Sequence, residues 1–373
     1  MKIAIFTDTY EPQINGVVTS IKSYNEQLRK RGHEIHIFCP KDKGLKKSKF
    51  IHSLRSVDFK PYPTYKIGIP SPSILRKIKK IRPDIVHIQS PAPIGFLGLS
   101  AAKALRIPIV STYHTLLTEY ISYLPGSKFK YVRKLQKKGL EKYIKLFFNR
   151  SDIIIAPGID TKKFLKKIVK KPIVVLPTGI QIPKLTKKPK NKIPIILQVG
   201  RLCKERSVEV VVHAFNELLK TQQAKLIITS DGPQSNELKH LVKELEIQKH
   251  VQFTGFVSEQ KKNSLYKKAD MFVSASATDT QGLVPLEAMS FGTPVVVTHG
   301  PGFRDFITHN KNGLMFSPGK YKELSKQMIR ILRNKKLKTK LSKNARKTAE
   351  SYEISKFTNK LEAVYYHSIY NML

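Results

Sequence analysis

The densest group of residues that could do chemistry lies in the stretch SASATDTQGLVPLEAMSFGTPVVV of the C-terminal half. A predicted strand ends near Ser274 and leads through a polar loop with Asp279 into a helix that begins at Gly282. The backbone amides of Gly282, Leu283 and Val284 would lie at the positive end of the helix dipole. Such a helix start suits a diphosphate, which gains charge as it leaves.

Glu287 lies inside the same predicted helix, and seven residues separate it from Asp279. Its neighbours in LVPLEAMS are apolar, and a charge in such surroundings needs a partner. A carboxylate accepts several hydrogen bonds at once, so Glu287 could bind the hydroxyls of a ribose. The alternative, a capped surface helix without a ligand, is disfavoured by the apolar neighbours.

A basic loop, GRLCKERS, follows another predicted strand. Arg201 and Arg206 could clamp two phosphates, because a guanidinium matches phosphate oxygens and keeps its charge. Two arginines mean little in so basic a protein. Their place after the carboxyl end of a strand is what favours a phosphate site.

The N-terminal half offers two further candidates. Gly16 lies at a predicted helix start in the loop TDTYEPQINGVV, where backbone amides could hold a phosphate, although an ordinary turn also explains it. His114 follows the strand PIVSTY and could bind a transferred sugar or steady charge, although a lone histidine is usually structural. There is no GxGxxG motif at the first strand, which disfavours a nicotinamide enzyme.

Short apolar runs alternate with amphipathic segments along the chain, which is typical of βα units that feed a parallel sheet. The predicted strands are Lys2–Thr7, Glu34–Cys39, Asp84–Gln89, Pro108–Tyr113, Asp152–Ala156, Ile173–Leu176, Pro194–Val199, Lys225–Thr229, Val251–Gly255, Asp270–Ser274, Pro294–Thr298 and Gly313–Phe316. We expect an α/β protein in which two Rossmann-like, doubly wound domains face each other across a cleft that holds the ligand.

The length of 373 residues fits two such domains. We place an N-terminal domain at 1–180 and a C-terminal domain at 193–350. The segment 181–192, rich in Pro and Lys, is the expected linker. A C-terminal helix over 351–373 could pack back on the first domain.

Net charge, cysteine content and the length of apolar runs indicate the partners and the compartment of the protein. The formal charge is +41, from 68 Lys and Arg against 27 Asp and Glu, which favours an anionic partner or surface, unless it reflects only a global bias. Cys39 and Cys203 suggest thiols in a reducing compartment and no disulfide framework. No apolar run approaches the roughly 20 residues of a membrane-spanning helix.

Taken together, INGVVTSI, STYHTLLTEY, GRLCKERS, SDGP, FTGFV and DTQGLVPLEAMSFGTPVV resemble the retaining glycosyltransferases of family four, which have the GT-B fold. The motifs occur in family order from Asn15 to Val297. The resemblance implies that 1–180 is the acceptor-binding domain and 193–350 the nucleotide-sugar-binding domain. The resemblance implies these contacts with a nucleotide-sugar donor: Gly16 with its phosphates, His114 and Asp279 with the reacting sugar, Arg201 and Arg206 with the diphosphate, Glu287 with the ribose, and Phe256 and Val257 with the base.

The chain departs from the family pattern at two of these positions. The family usually has Glu where this chain has Asp279, and Lys where it has Arg206. Because Asp is one methylene shorter, its contact with the sugar could be altered. Retention of configuration could follow from a covalent intermediate or from attack on the same face, with the leaving phosphate as base.

The motif HTLLTEYISYLP is most similar to enzymes that glycosylate diacylglycerol or related lipids. A basic helical pattern follows it over Phe129–Phe148, with apolar residues on one side. This helix could dock on an anionic membrane, or its apolar side could pack on its own domain. The expected docking residues are Lys130, Arg133, Lys134, Lys137 and Lys138.

The sequence therefore predicts a retaining enzyme that moves glucose or galactose from a UDP-hexose to a membrane lipid such as diacylglycerol. We expect it in the cytoplasm, peripheral on the inner face of the cell membrane. No divalent metal is expected, since arginines and helix amides would replace it, and UDP-hexose is a substrate rather than a cofactor. The alternatives are a soluble or lipid-linked oligosaccharide acceptor of the lipopolysaccharide type, or a nucleic-acid-binding protein on a transferase-like fold.

Overall fold

The computed structural model describes residues 1–58, 66–114 and 129–371. The chain divides into two compact units, Met1–Gly179 together with Ile354–Leu373, and Ile180–Glu353. The second unit is thus inserted, in chain order, between two parts of the first. Residues 181–192, the expected linker, contain no helix or strand and belong to the second unit.

Strands and helices alternate along most of the chain. The strands are β1 (Lys2–Phe6), β2 (Glu34–Pro40), β3 (Ile51–Leu54), β4 (Ser56–Asp58), β5 (Lys66–Gly68), β6 (Ile85–Ile88), β7 (Ile109–Thr112), β8 (Ile153–Ala156), β9 (Ile173–Val175), β10 (Ile195–Val199), β11 (Lys225–Thr229), β12 (Val251–Phe253), β13 (Met271–Ser274), β14 (Val295–Thr298) and β15 (Leu314–Phe316). The helices are α1 (Gly16–Lys30), α2 (Ser73–Ile81), α3 (Pro93–Ala104), α4 (Lys130–Phe148), α5 (Ile159–Lys166), α6 (Val208–Leu219), α7 (Ser235–Glu244), α8 (Glu259–Lys268), α9 (Leu283–Ser290), α10 (Pro301–Arg304), α11 (Tyr321–Arg333), α12 (Lys335–Ser351) and α13 (Ile354–Tyr370).

The first unit is built on a parallel sheet with the order β3-β2-β1-β6-β7-β8-β9. Strands β6, β7 and β8 are buried along their whole length, as expected for parallel strands covered on both faces. Phe6 stacks on Phe38 with ring centroids 4.5 Å apart. A Cβ at Gly98 of α3 would lie 2.4 Å from the Phe6 ring, so this glycine lets the helix approach the sheet.

The second unit has a parallel sheet with the order β12-β11-β10-β13-β14-β15. Two apolar clusters cover its faces. One includes Phe215 of α6 and Met328 of α11, and the other includes Met289 of α9 and Ala345 of α12. Each unit is therefore a Rossmann-like α/β layer structure, which agrees with the predicted fold class.

Helix α13 belongs to the first unit. The Tyr365 hydroxyl lies 2.6 Å from Nδ1 of His87 in β6, and Glu362 Oε1 lies 2.6 Å from Nε2 of His33. Glu362 also pairs with Arg31. In the described part of the chain, no helix combines the length and apolar character needed to cross a membrane.

Candidate functional site

The strand order of the second sheet reverses between β10 and β13, and ligands of open α/β sheets bind at the carboxyl ends of strands at such a point. The loops after these two strands meet there through Arg206 and Asp279. Arg206 Nη1 contacts both carboxylate oxygens of Asp279 and lies 2.6 Å from Oδ2. The two side chains remain 27% and 16% exposed, so a ligand can still reach the pair.

Hydrogen bonds tie the same two loops together. The hydroxyls of Ser276 and Thr278 donate to the carbonyl oxygen of Glu205, at 3.3 and 3.4 Å. The Glu205 carboxylate lies 3.6 Å from Arg201 Nη2. Both arginines predicted from the sequence are thus held at this edge of the sheet.

Two glycines allow the loop after β13 to close tightly. Gly282 has φ +71°, and a Cβ there would lie 2.4 Å from the Phe303 ring. A Cβ at Gly302 would lie 2.3 Å from the carbonyl oxygen of Asp279. Neither position can take a side chain without moving the loop that carries Asp279.

Helix α9 starts at this point without a side-chain cap. The amides of Leu283 and Val284 therefore keep their donor capacity, and the helix dipole adds partial positive charge. Most of α9 is buried, so it is not the capped surface helix that the sequence left as the alternative. The arrangement of α9 beside Arg206 suits a diphosphate.

Glu287 has the partners that its apolar sequence neighbours required. The Tyr266 hydroxyl donates to Oε2 at 2.8 Å, and Lys262 Nζ lies 2.9 Å from the same oxygen. Burial and the nearby carboxylate raise the pKa of Tyr266 well above its usual value, so it stays a phenol and a donor. The Glu287 side chain is 19% exposed, and Oε1 has no hydrogen-bond partner among the described residues. Oε1 can accept from a ligand hydroxyl.

Phe256 and Val257 follow β12, which is the outermost strand on one side of the second sheet. The Ser230 amide donates to the carbonyl oxygen of Gly255 at 2.7 Å and so joins this turn to the end of β11. Phe256 is 60% exposed, an unusual degree for so large an apolar ring. Its face is available to an aromatic ligand.

Gly16 begins α1 in the first unit and is exposed. Asn15 caps this helix, because its Oδ1 accepts from the amides of Val17 and Val18 at 3.0 Å each. Two of the amides that could hold a phosphate are therefore already bonded within the protein.

His114 follows β7 in the first unit, beside the end of β6. Its Nε2 lies 2.6 Å from Oε1 of Gln89. Burial lowers the pKa of His114 to about 4, so the imidazole is neutral near pH 7. Gln89 was not among the site residues predicted from the sequence, although a polar residue at the end of the apolar strand IVHIQ was a usable signal.

Asp8 is a second residue near the site that was not predicted from the sequence. It follows β1, where the first sheet reverses its order, and its carboxylate accepts from the Ile94 and Gly95 amides and the Ser90 hydroxyl, at 2.9, 3.2 and 2.8 Å. Burial raises its pKa, and these hydrogen bonds oppose the rise. Asp8 thereby fixes the turn between β6 and α3, directly after Gln89.

Helix α4 divides its apolar residues between two environments. In the C-terminal half, Ile144 and Phe147 are buried in the core of the first unit, so this part of the predicted docking face packs on its own domain. In the N-terminal half, Tyr131 and Leu135 are 73% and 52% exposed. Four of the predicted docking cations surround them and are exposed: Arg133, Lys134, Lys137 and Lys138. The Lys130 side chain and residues 115–125 of the HTLLTEYISYLP motif lie outside the described part.

Cys39 and Cys203 are buried thiols, and burial raises the pKa of each to about 12. Across the described ranges, no group of three or more His, Cys, Asp and Glu side chains is placed to hold a metal ion.

Comparison with known proteins covers nearly the whole chain. Residues 14–184 match the family model "Glycosyltransferase Family 4", and residues 181–348 match "Glycosyl transferases group 1". An alpha-monoglucosyldiacylglycerol synthase of Acholeplasma laidlawii is 31% identical over 98% of this chain and 96% of its own length. The enzyme of the same name from Streptococcus pneumoniae is 33% identical over 85% of this chain and 75% of its own.

Solved structures agree on the fold. Sucrose-phosphate synthase from Thermosynechococcus elongatus superposes with a TM-score of 0.78 and 19% identity, over 98% of both chains. Two Rossmann-like units of this kind define the GT-B class of glycosyltransferases. The chain belongs to glycosyltransferase family 4 and is a glycosyltransferase enzyme.

Proposed function

We propose that the protein transfers glucose, with retention of configuration, from UDP-glucose to diacylglycerol at a membrane surface. Two relatives named alpha-monoglucosyldiacylglycerol synthase, at 31% and 33% identity, support the sugar and the acceptor. The observation that carries the donor site is the meeting of Arg206, Asp279 and the uncapped start of α9 at the reversal point of the second sheet.

In this proposal the second unit binds the nucleotide sugar. Arg201, Arg206 and the α9 amides stabilise the diphosphate as it takes up the electrons of the breaking glycosidic bond. The free Oε1 of Glu287 accepts a ribose hydroxyl, and the exposed Phe256 ring stacks on the base beside Val257. These roles come from placement and charge, and the site is proposed to work without a divalent metal, because fixed cations take that part.

Retention follows from the anomeric chemistry of the proposed reaction. Nucleotide-activated glucose carries an α bond, and an alpha-glucosyl product keeps that configuration. A covalent route would use a carboxylate as nucleophile, but both oxygens of Asp279 contact Arg206. This contact supports attack on the same face, with the leaving phosphate accepting the proton of the acceptor hydroxyl.

The first unit is proposed to bind the acceptor and the membrane. Neutral His114 would accept a hydrogen bond from a hydroxyl of the transferred sugar. The exposed N-terminal half of α4 presents four cations beside Tyr131 and Leu135. At about 1 kcal/mol for each cation near an anionic leaflet, they would contribute roughly 4 kcal/mol, enough for reversible docking on the inner face of the cell membrane.

The test is transfer from radiolabelled nucleotide sugars to lipid vesicles with or without diacylglycerol. We expect one labelled glucolipid, formed from UDP-glucose, dependent on diacylglycerol, faster on anionic vesicles and unchanged by a chelator. UDP-galactose is the control donor, and we expect it to give no labelled lipid. Transfer to soluble saccharides without vesicles would overturn the lipid acceptor, and tight RNA binding without nucleotide-sugar binding would overturn the donor assignment.

A further inference from the structure

Two hydrogen-bonded pairs of polar side chains connect the neighbouring strands β6 and β7 of the first sheet. His87 Nε2 lies 2.7 Å from Thr112 Oγ1, and Gln89 Oε1 lies 2.6 Å from His114 Nε2. The first residue of each pair belongs to β6 or its end, and the second to β7 or its end. Because alternate residues of a strand point to the same side, both pairs lie on one face of the sheet.

The Gln89 end of the second pair is held by its surroundings. The Gln89 side chain is buried. The main-chain amide of Gln89 donates to the Phe6 carbonyl oxygen at 2.8 Å. The hydroxyl of the next residue, Ser90, makes two hydrogen bonds with Asp8. It donates to the Asp8 carboxylate and accepts from the Asp8 main-chain amide. These bonds hold the main chain that carries Gln89, and burial limits the movement of its side chain, so the amide oxygen is presented to the His114 ring from a fixed position in the sheet.

We propose that Gln89 is a positioning residue for His114: its amide oxygen accepts the Nε2 proton and thereby fixes the tautomer in which Nδ1 is an acceptor. A neutral imidazole carries one proton, so the partner at one nitrogen decides the role of the other. The sugar contact of His114 rests on the proposed function, whereas the effect of Gln89 on the ring does not.

A small cavity of the first unit adjoins His114. Among its described lining residues, no ionised side chain competes with Gln89 in setting the His114 tautomer. The titratable side chains that line it with His114 are His87 of β6 and Tyr24 of α1. Burial lowers the pKa of His87 to about 3 and raises that of Tyr24, so both are neutral near pH 7. An acidic group placed at residue 89 would add a negative charge next to the ring.

The test compares Gln89→Glu, Gln89→Leu and wild type, with Tyr365→Phe as a matched control that removes a buried hydrogen bond from His87. Histidine is labelled with carbon-13, and the His114 signal is assigned by its loss in His114→Gln. In Gln89→Glu we expect the His114 midpoint to rise by about one pH unit or more, because a carboxylate favours the imidazolium. Wild type and Tyr365→Phe should keep a neutral ring above pH 5.

Transfer rates provide the second reading. In Gln89→Glu the acid limb of kcat should move up by about one pH unit, since activity falls where the ring becomes charged. In Gln89→Leu we expect kcat to fall about tenfold at all pH values, because the Nε2 proton loses its acceptor. An unmoved midpoint together with an unmoved acid limb would overturn the inference. If no protein transferred sugar, the proposed function would fail, and the resonance titration would still decide the role of Gln89.

Discussion

Arg206 and Asp279 neutralise each other in the free protein, although both are proposed to act on the donor. A diphosphate must compete with the Asp279 carboxylate for the guanidinium, and it also meets the negative charge of that carboxylate. We therefore expect Asp279→Asn to bind UDP about fivefold more tightly, the size of a partly buried ion pair, while turnover falls. Calorimetric titration with UDP measures the first effect and steady-state kinetics the second.

The control for this substitution is Glu217→Gln. It removes one negative charge at an exposed ion pair with Lys220, so UDP affinity should stay at the wild-type value. If Asp279→Asn weakened UDP binding instead, the carboxylate would be supporting the diphosphate site rather than competing for it.

Glu287 allows the proposed ribose-binding and phosphate-binding parts of the site to be tested separately. Glu287→Gln keeps the shape of the side chain but loses its charge, and with it the ion pair to Lys262. We expect affinity for UDP to fall about tenfold, because a hydrogen bond to a charged acceptor is stronger than one to an amide. Affinity for inorganic pyrophosphate should not change, and the thermal midpoint should stay within a few degrees.

Equal losses for UDP and pyrophosphate would place Glu287 at the phosphates. Tyr266→Phe gives an independent check, since it removes one of the two donors that orient the carboxylate. Its effect should also be confined to UDP.

Helix α4 has an exposed half that is proposed to dock on a membrane and a half that packs into the core of the first unit. Charge reversal in the exposed half can separate docking by this helix from attraction caused by the overall positive charge. The triple variant Lys134→Glu, Lys137→Glu and Lys138→Glu should bind anionic vesicles at least about 100-fold more weakly, at about 1 kcal/mol per lysine. Sedimentation with vesicles measures this. The matched control reverses three exposed lysines of α12: Lys335, Lys336 and Lys340.

If both triple variants lost binding equally, the attraction would come from overall charge alone. Replacing Tyr131 and Leu135 by Ser should weaken vesicle binding without reducing its dependence on salt, because only the apolar contribution is removed.

Strands with continuous apolar sequence could be predicted from the chain, and short or polar ones could not. IVHI and IVST become β6 and β7, and each was predicted within one or two residues. The strands β3, β4 and β5, with sequences IHSL, SVD and KIG, were missed, because so few residues show no clear periodicity. The apolar side of α4 was visible, but only packing decides which part of it is buried.

In the candidate site, too, single residues could be predicted from local sequence, whereas the contacts between them depend on tertiary packing. Arg201, Arg206, Asp279 and Gly282 could be found from their places after strands. The ion pair between Arg206 and Asp279 could not, since it depends on loops joined through the Glu205 carbonyl. Lys262 and Tyr266 escaped notice because their contact with Glu287 requires α8 to pack against α9.

The two units should respond differently to acid. Burial lowers the pKa of three histidines of the first unit: His87 to about 3, and His52 and His114 to about 4. Their unfolded pKa is near 6.5, so between about pH 6.5 and 4 the unfolded chain binds more protons than the folded one. The free energy of unfolding must then fall as the pH falls, by up to about 4 kcal/mol per pH unit for three protons. The raised pKa of Asp8 offsets part of this loss.

Hydrogen exchange resolved along the sequence can measure this difference at pH 7 and pH 5, after correction for intrinsic rates. Amides of β6 and β7 should lose more protection at pH 5 than those of β10 and β13, because in the second unit burial also lowers the pKa of His309, but three such histidines act in the first unit. Far-ultraviolet circular dichroism with urea gives the overall slope, which suits a chain without tryptophan. Equal loss of protection in both units would contradict the assignment.

The return of α13 to the first unit has a consequence for biosynthesis. A ribosome releases β1 to β9 early, yet the helix that carries Tyr365 and Glu362 emerges only after the whole of Ile180–Glu353. The inserted unit is contiguous in sequence and can complete its fold as it emerges. Until then the nascent N-terminal sheet lacks the helix that contacts His87 and His33, and the first unit is the later of the two to reach its native state.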